Sequence, residues 1–244
     1  MAEGVYPNGM PHPPSALRLK IAIEIGTLVV LATLFIAFAP PWMRNSGVYV
    51  GLALVMLGYI GFTADYTRDR IWGPPDSADF DRVRRCAINM SLLTFPPIIL
   101  FFVLGILGRY VNLGDVDLDW LKEPGTPSIF SLNFFISMAL YLPWALLQQT
   151  LFQFFLLGRL RALLPWASPW TLSILNGVAY GLVHWPDPAT TLATIVGGIL
   201  WSYSYHRDRF VLPIAISHAL LGSTFYYWVY GRDLLAEFFK NHWV

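Results

Sequence analysis

Seven apolar runs separated by charged, proline-rich or glycine-rich stretches divide the chain. They lie at about 18–39, 47–65, 87–109, 129–163, 169–185, 188–205 and 211–230, and most come close to the ~20 residues with which an α-helix crosses a bilayer. The run 129–163 is too long for one perpendicular span. Pro143 inside it predicts a kink or break, and Arg159 and Arg161 predict that its last turns leave the membrane. Pro7, Pro11, Pro13 and Pro14 predict an extended tail. The pattern therefore predicts an all-α, polytopic transmembrane helix bundle of about seven helices. Its expected parts are an extended tail over 1–16, three membrane helices within 17–128, a helical core over 129–231 and a short tail over 232–244. No repeat, low-complexity stretch or soluble domain interrupts this order.

Composition leads to the same solvent. Hydrophobic residues make up 56% of the 244 and charged residues 13%, about half the charged share of a soluble domain. A soluble fold of this size has too little core to hide so much apolar surface, which leaves membrane lipid as the natural partner. The 10 Trp and 12 Tyr fit a protein with two membrane interfaces. A net charge of +1 without any basic run argues against nucleic acid. Cys86 is the sole cysteine, so an internal disulfide is excluded, and a buried inert thiol is the expected state. The first run is longer than the ~7–15 residues of a signal-peptide core, so it is read as a retained membrane helix.

Loop charge sets the expected orientation. With the N-terminus in the cytoplasm, Arg18, Lys20, Arg68, Arg70, Arg82, Arg84, Arg85, Arg159, Arg161, Arg207 and Arg209 fall on that side, 11 of the 16 basic residues. Asp115, Asp117 and Asp119 alternate in the loop 110–128. They lack the remaining ligands of a calcium loop and are read as a solvated acidic stretch.

Polar side chains inside a membrane are costly and ask for a reason. Glu24 in the first run and Asp65 at the end of the second lie near enough to an interface to be solvated. The C-terminal half differs. Gln148, Gln149 and Gln153 sit in one run, with Gln149 and Gln153 four apart and so on one helix face. His184 closes the run Ala179–His184, and His218 lies about two turns into the last run. Three physical readings fit this set. The amides and imidazoles could hydrogen-bond across helices and fix packing. His184 and His218 could bind a divalent metal or orient water. An imidazole could ligate a porphyrin.

The order of these motifs resembles the CaaX-protease and bacteriocin-processing family of intramembrane proteases. That family carries Glu-Glu-x-x-x-Arg, then Phe-x-x-x-His, then a His-x-x-x-Asn-like motif. The matching stretches are Gln148-Gln149-Thr-Leu-Phe-Gln153, Tyr180-Gly-Leu-Val-His184 and His218-Ala-Leu-Leu-Gly222. The approach to the last histidine, from Gly197-Gly198 through Arg207 and Arg209 to Leu212-Pro213, is similar too.

The resemblance implies a CaaX-protease-like core in the C-terminal half. It also implies a bacterial inner-membrane location and endopeptidase action on membrane-anchored or prenylated peptides. The site residues it carries over are Gln148, Gln149, Gln153, His184 and His218, the two histidines being the implied metal positions. The chain departs from the pattern at both glutamates, at the arginine and at the asparagine. An amide cannot take a proton from water near neutral pH and is a weaker metal ligand than a carboxylate. Loss of the buried carboxylates also removes the need for a buried guanidinium, leaving an uncharged network without the desolvation cost of ions. Impaired proteolysis is the expected chemistry. The alternative is a non-catalytic homologue serving as scaffold, assembly factor or accessory subunit of a membrane complex.

Overall fold

A computed structural model describes residues 15–38, 46–63, 77–110, 122, 128–185 and 187–233. Most of the expected N-terminal tail, the acidic Asp115–Asp119 stretch, Asp65 and the C-terminal tail beyond 233 lie outside the described residues. Within them the chain is helical and contains no strand. The helices are α1 Ser15–Phe38, α2 Ser46–Thr63, α3 Ser77–Tyr110, α4 Leu132–Gln149, α5 Leu157–Leu163, α6 Pro169–Leu182, α7 Pro188–Asp208 and α8 Val211–Thr224. A π-helical stretch, Thr150–Leu156, joins α4 to α5, and another, Phe225–Val229, extends α8. These form seven continuous rods among the described residues, one for each apolar run.

Two rods differ from expectation. The third begins at Ser77, about ten residues before the apolar run, because its first turns carry Asp79, Asp81, Arg82, Arg84 and Arg85 and extend beyond the apolar part. The fourth stays α-helical through Pro143, where a kink or break was expected, so there is no break in the helix there. A π-helical turn, which the sequence did not predict, follows over Thr150–Leu156 and contains Gln153. Such turns widen the helix and shift side-chain register.

Large apolar side chains, among them Ile23, Val55, Phe62, Leu92, Leu132 and Leu192, are exposed, while Gln149, Gln153, Arg159, Asn176, Ser202 and His218 are buried. This inverts the arrangement of a water-soluble domain and is what lipid selects. By length and composition, Phe80–Tyr110 and Leu132–Leu163 can each cross a membrane.

The chain divides into two compact units. The first comprises residues 1–44, 51–72 and 150–209, the second 45–50, 73–149 and 210–244. In the first unit α6 and α7 pack backbone to backbone. Gly177 and Gly181 are four apart on α6, and a Cβ at either would lie 2.5 Å from Ile199 N or 2.8 Å from Thr191 O. Small residues at this spacing let membrane helices approach closely. Both helices start on strong signals. Ser168 caps α6 by accepting from Thr171 N at 3.1 Å, Asp187 caps α7 by accepting from Thr190 N at 3.1 Å, and Pro169 and Pro188 occupy the first helical positions.

In the second unit, Ile129, Phe134, Tyr227 and Trp228 form a buried cluster against Phe101, Phe102 and Met138. Trp228 Nε1 donates to Ile129 O at 2.8 Å. Arg109, at the end of α3, donates to the carbonyls of Tyr227 and Trp228 at 2.8 Å each. These carbonyls lie at the end of the last rod, where backbone acceptors lack intrahelical donors.

Candidate functional site

Among the described residues, three hydrogen-bonded networks bear on these polar positions, one in the second unit and two in the first.

In the second unit, α4 supplies Tyr141 and Gln149 and α8 supplies His218. His218 is 3% exposed and Gln149 fully buried. Gln149 Nε2 lies 3.2 Å from His218 Nδ1, and Tyr141 Oη lies 3.3 Å from His218 Nε2. With the Gln149 amide in this orientation, the matching tautomer has Nδ1 as acceptor and Nε2–H as donor to Tyr141. The Tyr141 ring meets the imidazole edge-on, with centroids 5.5 Å apart at 81°. Immediately before His218, Ser217 and Thr94 of α3 share a 2.6 Å hydroxyl contact. Gln148 Oε1 and Gln149 Oε1 are buried acceptors without a hydrogen-bond partner among the described residues.

In the first unit, Gln153 Oε1 accepts from Asn176 Nδ2 at 3.2 Å, and the same Asn176 amide donates to Ser202 Oγ at 2.8 Å. Asn176 and Ser202 escaped the sequence reading, Asn176 as a lone amide in α6 and Ser202 as one of two serines interleaved with Trp201, Tyr203 and Tyr205. Gln149 and Gln153, expected on one face, serve different networks, and the π-helical turn between them alters the α-helical spacing. His184 stands in the turn after α6, half-buried, with its ring edge-on to Tyr180 at 5.8 Å. Its Nε2 has no hydrogen-bond partner among the described residues.

The second network of this unit is charged. Arg159 is completely buried, and its Nε and Nη2 donate to Glu24 at 3.2 and 3.4 Å. Tyr59 Oη donates to the same carboxylate at 2.6 Å, and the guanidinium lies over the Phe155 ring, 4.2 Å from its centroid. The sequence reading placed Glu24 near solvent and Arg159 among emerging turns. Both instead pair inside the unit, since each reduces the cost of burying the other.

Among the described residues the donor set does not suit a resident metal. Among the described residues no three His, Cys, Asp or Glu side chains gather as ligands. Each ring nitrogen of His218 already faces a polar partner.

The chain from the start of the fourth apolar run to the end of α8, residues 129–224, matches the family model described as type II CAAX prenyl endopeptidase Rce1-like. No curated protein and no solved structure matches the chain. The Rce1-like segment contains every site position carried over by resemblance: Gln148, Gln149, Gln153, His184 and His218. Together with the outward-facing apolar helices, it makes the chain an integral membrane protein.

Proposed function

We propose that this protein holds a membrane-embedded peptide, of the prenylated or lipid-anchored class that its family cleaves, and that peptide-bond hydrolysis has been lost. The contact between Gln149 and His218 at 3.2 Å carries this reading. A carboxylate at that place could draw a proton from water and pass it on, whereas the amide has no basic oxygen at neutral pH. Loss of a general base costs about 10²–10⁴ in rate.

Binding has its own support. A buried acceptor left without a donor costs about 1–3 kcal/mol, and Gln148 Oε1 and Gln149 Oε1 are two such atoms. An extended peptide in lipid carries backbone N–H groups in need of acceptors, so the two requirements are complementary. The N-terminus lies in the cytoplasm in this proposal, on the strength of the loop charge.

The test is a titration of the purified protein in nanodiscs with a fluorescent farnesylated peptide. The reading requires saturable binding weakened by Gln148→Ala, with the peptide recovered intact. Absence of saturable binding, together with a stoichiometric companion subunit by mass spectrometry after gentle solubilisation, would instead establish the scaffold or accessory-subunit role. A Soret band in the same preparation would establish porphyrin ligation.

A further inference from the structure

The contacts of His218 assign a role to Tyr141: we propose that it is the positioning residue of this imidazole, and that Gly222 lacks a side chain because the Tyr141 ring fills the space. This deepens the peptide-binding reading and rests on it for its functional meaning.

Position 222 lies four residues after His218, one helical turn along the same face. It is where the resemblance expects an asparagine able to reach the histidine. Here that space is taken. A Cβ built on Gly222 would stand 2.6 Å from Tyr141 Cε1 and 3.2 Å from both Cζ and Oη. These are ring atoms in a packed site, so they cannot swing aside as the end of a flexible chain would. The phenol thereby brings its oxygen to 3.3 Å from His218 Nε2.

The donor helix is built for this. Tyr141, Ala145 and Gln149 follow one another at four-residue spacing on α4, with the buried and small Ala145 between the two polar groups. One helix face thus supplies a partner for each ring nitrogen, Gln149 for Nδ1 and Tyr141 for Nε2. The tautomer that follows is Nε2–H, with the phenol oxygen as acceptor. The phenol O–H is then left to donate to a ligand carbonyl, beside the Gln149 oxygen that can accept a ligand N–H. A donor and an acceptor on either side of one imidazole are complementary to a peptide group.

The experiment pairs an exchange of side chains with a spectroscopic reading. The full-length protein is labelled with ¹⁵N-histidine in nanodiscs, and the His218 signals are assigned by their loss in His218→Gln. The wild type should show the Nε2–H tautomer, and Tyr141→Phe, which keeps the ring, should shift the Nε2 resonance. Gly222→Asn alone should lower the melting temperature. Combined with Tyr141→Ala, which vacates the space, it should melt higher than the Gly222→Asn single variant and return the Nε2 resonance toward its wild-type position. An unchanged imidazole spectrum in Tyr141→Phe, or strictly additive losses in the double variant, would overturn the proposal. Neither readout involves a peptide, so failure here leaves the binding reading standing, and failure of peptide binding leaves this assignment standing.

Discussion

Replacing Arg159 by methionine takes a fully buried guanidinium away from the Glu24 carboxylate, whose side chain is 7% exposed. At the 3.2 Å separation between Nε and Oε2, the pair interacts by about 5 kcal/mol at an effective dielectric of ~20. Desolvation offsets much of that. The relevant magnitude is the cost of stranding one ion, about 3–5 kcal/mol when a buried pair is broken on one side. For a chain of this size each kcal/mol moves the melting temperature by about 2–4 °C, so Arg159→Met should melt roughly 6–20 °C below the wild type. Glu24→Gln should also destabilise, by stranding the cation. The double variant Glu24→Gln/Arg159→Met should recover most of the loss, because a neutral amide facing a thioether buries no charge. Tyr59 can still donate there, to the amide carbonyl that takes the place of the carboxylate. Tryptophan-fluorescence melting in one detergent reads all four corners of the cycle. Additive losses in the double variant would refute the ion-pair argument and indicate that Arg159 contributes through packing over Phe155.

Other consequences are direct. Gly181→Leu should lower the melting temperature sharply, since even a Cβ there meets Ile195 and a backbone carbonyl; overpacking costs about 1–3 kcal/mol or more. Gly26→Ala, where nothing lies within 4 Å, should be neutral in the same assay. Arg109→Met removes charged donors from the Tyr227 and Trp228 carbonyls and should cost about 1.5–3 kcal/mol per bond. Faster hydrogen exchange confined to the end of the last rod would report it. Reporter fusions after residue 85 should read as cytoplasmic if loop charge sets the topology.

The seven rods were legible because apolar runs near bilayer length have few alternatives in a chain this poor in charge. The early start of α3 was not, because its first turns are polar and carry no apolar signal. The π-helical turn at Thr150–Leu156 was hidden too, since nothing in Thr-Leu-Phe-Gln-Phe-Phe-Leu distinguishes it from an ordinary apolar helix. At the site, Gln149 and His218 were visible as polar residues out of place, and the structure joins them. Their partner Tyr141 was invisible, because a tyrosine in a membrane helix reads as an interfacial residue. Gly222 was legible only as a missing asparagine, and its meaning depends on a ring 81 positions earlier in the chain. The Glu24–Arg159 pair joins residues 135 apart, a separation at which single-sequence patterns carry no pairing information.

Turnover of a farnesylated peptide in proteoliposomes, followed by mass spectrometry over many hours, bears most directly on the proposal that the site of Gln149 and His218 does not hydrolyse peptides. The wild type should return the peptide uncut, at the rate of empty vesicles. Cleavage by the wild type that disappears in His218→Ala would contradict the account.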